Sequence, residues 1–183
     1  MPRLPLLPAD SDDPVLAELF RTFRDEGREP IWLYRTLAHA PKALRGFSAA
    51  GRALRGEASV PRALRELVIM RTALLTDSAY EWSHHRPMAL KAGVSAGQLD
   101  GLADWQGSAL FDGRERAVLR CADEVHAAAL SDDAFAELER CFPPGEVVEL
   151  VMTAAFYQAV ARVLQALRVE VEPAYRRYVR APG

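Results

Sequence analysis

The chain is poor in the residues that most often announce chemistry or staple a fold. It has 2 cysteines, Cys121 and Cys141, in 183 residues. They fall on what read as different helices, so there is no Cys-x-x-Cys pair and no disulfide framework. Both read most simply as small buried hydrophobes; a bridge between them is geometrically open but nothing in the sequence supports it. It has 4 histidines, none in a His-Glu-x-x-His spacing, so no metal site is expected. Alternating β-branched runs bounded by tight-turn pairs are missing, which argues against strands. No concentrated basic stretch appears and the formal net charge is -2, so a nucleic-acid partner is not expected. The opening MPRLPLLPADSDD lacks the apolar core and cleavage site of a secretory leader. No apolar run is read as reaching the roughly 18 residues that span a bilayer, so no membrane partner is expected. The chain therefore reads as soluble and cytoplasmic.

What is present is helix-forming pattern. Half the residues are hydrophobic, enough for a substantial core, and the length favours a single all-helical domain over 1–183. Ser11 with Pro14 predicts a helix start, with Leu16, Leu19, Phe20 and Phe23 on one face. Pro30 and Pro41 read as openers of the second and third helices, and Gly51 and Gly56 blur the end of the third. Ser59 and Pro61 precede a helix that fades near Thr76, and a second runs from about Ser78 to Gly93, a standard C′ position. Ser95 caps a short helix. Further helices are predicted at about 113–129, 131–141 and 144–168. The last carries two adjacent apolar stripes, so it should be buried on more than one side. The tail EPAYRRYVRAPG reads as polar and extended.

The segment richest in chemistry is Arg65-Glu66-Leu67 followed by Ser78-Ala79-Tyr80-Glu81-Trp82-Ser83-His84-His85. Glu81 and His85 share a helix face at i,i+4 spacing. A carboxylate beside an imidazole orients the ring and makes the pair competent for proton transfer near neutral pH. An antiparallel hairpin brings Glu66 to the same place, where two carboxylates force one pKa upward. Pro87, inside the second helix, predicts a kink or interrupted turn beside His85. Arg65 is a candidate for receiving a substrate carboxylate, although a salt bridge to a nearby acid serves equally well. Tyr80 and Trp82 are candidate walls of an aromatic pocket or plain core residues. His84 points about 100° from His85 and reads as exposed or interfacial.

The order Arg-Glu-Leu, Tyr-Glu-Trp-x-x-His and Ala-x-x-x-Gly-Val-Ser, here Arg65–Leu67, Tyr80–His85 and Ala89–Ser95, resembles the carboxymuconolactone decarboxylase family. The likeness is good over about 60–105 and looser toward the C-terminal helix, at Tyr157, Arg162 and Leu164. It implies an alkylhydroperoxidase D-like helical bundle, with a family core at about 40–125, an N-terminal helical extension at 12–40 and a long C-terminal helix at 144–168. It also implies a homo-oligomer: dimer, trimer or hexamer. Redox members of the superfamily carry a Glu, a Cys-x-x-Cys and a His. On that pattern Glu66 and His85 stand at the Glu and His, but Ser78 and Glu81 stand at the two sulfurs. A hydroxyl and a carboxylate cannot cycle through a disulfide. The resemblance therefore implies the decarboxylase branch. This is a lyase needing no cofactor, acting on a small carboxylated lactone or ring compound. His85 would be the proton donor, Glu81 would orient it and Glu66 would complete the relay. Ser78, Arg65, Tyr80, Trp82 and His84 would contact substrate. Two other readings stay open: an antioxidant peroxidase-like protein, if Cys121 or Cys141 reaches the site, and a binding or scaffold protein without activity.

Overall fold

The computed structural model describes residues 1–180, and all regular structure among them is helical. Nine α-helices follow one another: α1 Pro14–Asp25, α2 Trp32–Leu37, α3 Pro41–Arg52, α4 Arg62–Leu75, α5 Ala79–Lys91, α6 Ala96–Asp100, α7 Gly113–His126, α8 Asp132–Cys141 and α9 Pro144–Leu167. A π-helical turn, Ala53–Glu57, extends α3, and 3₁₀ segments cover Leu102–Gly107 and Pro173–Tyr178. The all-helical reading holds, and the predicted starts fall within a few residues of those observed.

The local differences have local causes. Asp13, not Ser11, caps α1: its carboxylate accepts from the Val15 and Leu16 amides, leaving Ser11 two residues too early. The start of α4 has no cap from its own neighbours. The Glu149 carboxylate on α9 instead accepts from the Ser59 and Val60 amides at 3.0 Å each. Pro87 does not interrupt α5, which runs unbroken from Ala79 to Lys91. The Ser83 hydroxyl, in the turn that Pro87 deprives of a donor, itself donates to the Ala79 carbonyl. The tail is not simply extended over 172–180 either, because Glu172 is buried and Pro173–Tyr178 packs on α5; its last residues, 181–183, lie outside the described residues.

Two apolar clusters build the interior. The larger lies among α4, α7, α8 and the first half of α9, centred on residues such as Leu67, Val118, Leu138 and Leu150. The smaller gathers α1, α2, α3 and the second half of α9 through Phe20, Leu33, Leu44, Val160 and Leu164. Helix α9 thus feeds both clusters, as its double stripe predicts. It is also long and apolar enough, by length and composition, to cross a membrane. The expectation that no segment reaches that length is therefore corrected. Its interior-facing residues, including Leu150, Ala154 and Ala161, are fully buried in the protein, which accounts for its composition. Along its outer side Val148 and Met152 are more than half exposed.

Candidate functional site

Helices α4 and α5 form an antiparallel hairpin whose corner is tightly fixed. Asp77 takes a left-handed conformation at φ 50, a backbone region that Asp tolerates better than most residues. The Ser78 amide returns to the Ala73 carbonyl at 2.9 Å. The Ser78 hydroxyl caps α5 by accepting from the Glu81 amide. The hairpin folds Glu66 back against the second turn of α5, and the three expected residues meet there. The His85 Nδ1 lies 2.8 Å from Glu66 Oε2, and its Nε2 lies 3.8 Å from Glu81 Oε2. All three are almost wholly buried.

The two carboxyls are held in opposite states. Burial alone pushes Glu66 up, but His85 and Arg62, both bonded to its oxygens, outweigh burial and hold it below its ordinary value. Glu66 is therefore an anion, and Nδ1–H must donate to it, leaving Nε2 as the working nitrogen. Burial pushes Glu81 up; His85, His84 and Arg55 pull it down, Glu66 adds to the rise, and burial wins. Glu81 Oε2 is buried with no hydrogen-bond partner. The expected roles therefore exchange. Glu66 orients the imidazole, and Glu81 stands in front of its free nitrogen.

Glu81 and His85 open onto a cavity of about 270 Å³. That lies just under the ~300–1,000 Å³ typical of sites for drug-sized ligands. Its walls are mostly aromatic. Phe156 and Tyr157 come from α9, Phe47 from α3, and Tyr34 from α2. The Tyr157 ring meets His85 edge-on at 5.0 Å, and burial pushes its phenol well above the usual range, against the pull of Arg55. Arg55, in the π-turn after α3, brings a guanidinium to the same wall.

The remaining sequence candidates divide. Tyr80 and His84 line the cavity. His84 is buried, not exposed: its ring stacks between Tyr80 at 4.2 Å and Tyr175 at 3.8 Å. Its Nε2 lies 2.6 Å from Glu172 Oε2. Burial pushes Glu172 up, but hydrogen bonds from His84, Tyr80 and the Trp32 amide hold it below its ordinary value. The Tyr80 hydroxyl donates to Glu172 and accepts from the Leu33 amide, which ties α5 to both the tail and α2. Three other candidates stand outside the cavity. Ser78 is spent as the α5 cap. Arg65 donates to the carbonyls of Val60, Leu54 and Arg55, so it braces the turn before α4 instead of facing a ligand or pairing with an acid. Trp82 packs in the larger apolar cluster. Both cysteines are free and neither lines the cavity; burial pushes the Cys121 thiol up to about 12. No group of three or more His, Cys, Asp or Glu fit to hold a metal occurs among the described residues.

Residues 41–124 match the Carboxymuconolactone decarboxylase family. No curated protein matches the chain. Among solved structures, an uncharacterized peroxidase-related protein from Ralstonia eutropha JMP134, with an alkylhydroperoxidase AhpD core, superposes with a TM-score of 0.80 at 19% identity. The match covers 100% of this chain and 98% of that one. A peroxidase-related protein from Silicibacter sp. TM1040 gives 0.78 at 18% identity over 95% and 93% of the two chains. The debrominase Bmp8 gives 0.75 at 22% identity over 91% of each. At these identities the neighbours establish the fold. The segment that supplies Glu66, Glu81 and His85 is the segment that matches the carboxymuconolactone decarboxylase family, and the chain carries it on an AhpD-like helical fold.

Proposed function

We propose that the protein is a cofactor-independent proton-transfer enzyme, a carboxy-lyase or close relative, acting on a small carboxylated ring compound. The family match over 41–124 and a fold shared with a debrominase and a putative antioxidant protein support a reading as a related enzyme or antioxidant-like protein. The observation that carries the finer reading is the His85 ring, with Nδ1 on the Glu66 carboxylate and Nε2 beside Glu81 at the wall of an aromatic cavity.

In a decarboxylation at this site the bond between a ring carbon and its carboxylate breaks and carbon dioxide leaves. The electron pair passes into a conjugated ring carbonyl as an enolate. The imidazolium Nε2–H then protonates the carbon, and one proton from solvent restores His85. Glu66 offsets the charge of the imidazolium, as an orienting carboxylate does in a triad. A protonated Glu81 can donate to the enolate oxygen, the service a neutral carboxylic acid performs in an apolar site. The apolar walls exclude water and strengthen both interactions.

The antioxidant reading finds no thiol at the cavity, since Cys121 lies in the other apolar cluster and Cys141 packs beside it. As for partners, the exposed apolar side of α9 at Val148 and Met152 suits contact with a second copy of the chain. The catalytic reading is tested with His85→Asn, which removes the acid and keeps the volume. Carbon dioxide release from ring carboxylates should fall by about 10²–10⁴-fold, with the thermal unfolding midpoint little changed. Equal rates in the two proteins end this reading.

A further inference from the structure

We infer that Arg55 is the anion anchor of the cavity, so that the preferred ligand is a small ring compound carrying a carboxylate that seats on this guanidinium. The inference deepens the acid–base reading above and rests on the same cavity.

Two cations line the cavity. Arg28 is already committed: its Nε donates to Glu26 at 2.8 Å and its guanidinium lies over the Phe23 ring at 5.4 Å. Arg55 is different. Its Nε donates to the Gly51 carbonyl at 3.0 Å and its Nη2 reaches the Tyr34 hydroxyl at 3.5 Å. It makes no ion pair within 4 Å among the described residues. A guanidinium has five N–H donors in a planar fork, so most of its capacity is unspent. A shielded cation without a counter-ion is costly, and an anionic ligand offsets that cost with two charge-assisted bonds.

The second observation is Glu81. Glu81 lines the same cavity, and its buried Oε2 has no hydrogen-bond partner. Held up by burial, Glu81 is not the anion that Arg55 lacks. Cavity and polar groups therefore ask for a ligand with a carboxylate at the Arg55 end and a hydrogen-bonding group toward Glu81 and His85. Aromatic walls favour a flat ring between the two.

The backbone around Arg55 is shaped for this. The π-turn Ala53–Glu57 widens the helix by one residue, a local distortion that recurs at functional sites. Gly51 borders both the aromatic wall and the guanidinium: a Cβ there would make ordinary contact with Phe156 Cε1 at 3.4 Å and Arg55 Nη2 at 3.6 Å.

The test is calorimetric titration of the full chain with benzoate and with benzamide, its neutral isostere. Wild type should bind benzoate at least 10-fold more tightly than benzamide. Arg55→Met should abolish that preference while still binding benzamide, and Arg55→Lys, which keeps the charge but not the fork, should recover part of it. A circular-dichroism melt confirms that each variant is folded. If wild type shows no preference for benzoate, or binds neither compound, the inference is wrong. An Arg55→Met protein that keeps the wild-type preference overturns it too. His85→Asn separates the two ideas. An intact benzoate preference in a wild type that releases no carbon dioxide leaves the anion anchor standing and ends the acid–base reading. Carbon dioxide release that survives loss of Arg55 without change in KM does the opposite.

Discussion

The segment 41–124 and the segments that flank it contribute to the cavity in different ways. The first supplies its proton-handling groups: Glu66 on α4, and Glu81 and His85 on α5, fixed by one hairpin and by contacts among near neighbours in sequence. The flanks supply most of its shape. Tyr34 comes from α2, Phe156 and Tyr157 from the middle of α9, and Tyr175 from the C-terminal 3₁₀ segment. Arg55 and Phe47 lie inside the shared segment but at its edge, before α4 begins. The lesson is that the resemblance is centred on the hairpin that holds the carboxyl–imidazole cluster, while most of the cavity wall comes from residues it scarcely covers.

The difference also explains what could be read from the sequence. Glu66, Glu81 and His85 were legible because helical spacing and a single turn determine their meeting. The helices themselves were legible from caps, prolines and apolar stripes. Glu172 was not, because its partners Tyr80 and His84 are 92 and 88 residues away, and nothing in a polar tail distinguishes a buried acid from a solvated one. His84 was misplaced for the same reason: a 100° offset from His85 points to solvent only if nothing covers that side, and the tail covers it. Arg65 does not take the part expected of it, and Arg55, for which the sequence suggested none, lines the cavity. The arginine beside the motif braces backbone carbonyls, while the one in an irregular turn between two glycines reaches the cavity.

The sharpest way to break the comparison lies inside the hairpin. Glu66→Gln should destabilise the fold by about 2–4 kcal/mol at pH 7, because it strands Arg62 and the His85 N–H in a buried place. Since Glu66 is held below its ordinary value, its stabilisation is present above the unfolded carboxylate pKa of about 4.3. It is lost as pH falls through the lower folded value, so the gap between variant and wild type should close in acid. Glu81→Gln should behave in the opposite sense. Its carboxyl is held up by burial, so its contribution is full below about pH 4.3 and disappears as pH rises through the raised folded value. Relative to wild type, the variant should gain stability toward alkaline pH. Urea melts across pH check both signs. Parallel curves for the two variants contradict the assignment of one anion and one neutral acid.

A change in the cavity wall should separate shape from chemistry. Phe47 packs against Phe156 with ring centroids 5.1 Å apart and planes tilted by 42°, and lines the cavity wall. Phe47→Leu should raise KM about 3–10-fold with kcat nearly unchanged, the signature of lost uniform binding. A fall in kcat alone contradicts the division drawn here. The smallest effect on the protomer is expected on the outer face of the flanking α9, away from the cavity. Met152→Glu, on the exposed side of α9, should leave stability within about 0.5 kcal/mol and lower the assembly size measured by light scattering. An unchanged size contradicts a second copy at this face.

The central claim is that His85, oriented by the Glu66 anion, is the acid of this cavity. The most direct measurement is carbon dioxide release from a panel of small ring carboxylates in deuterated water, run side by side on wild type and His85→Asn. The account predicts release from at least one compound by wild type, with one solvent deuterium on the product carbon, and a loss of at least about 100-fold in the variant. Release at the same rate in both proteins, or from no compound with the wild type, contradicts it.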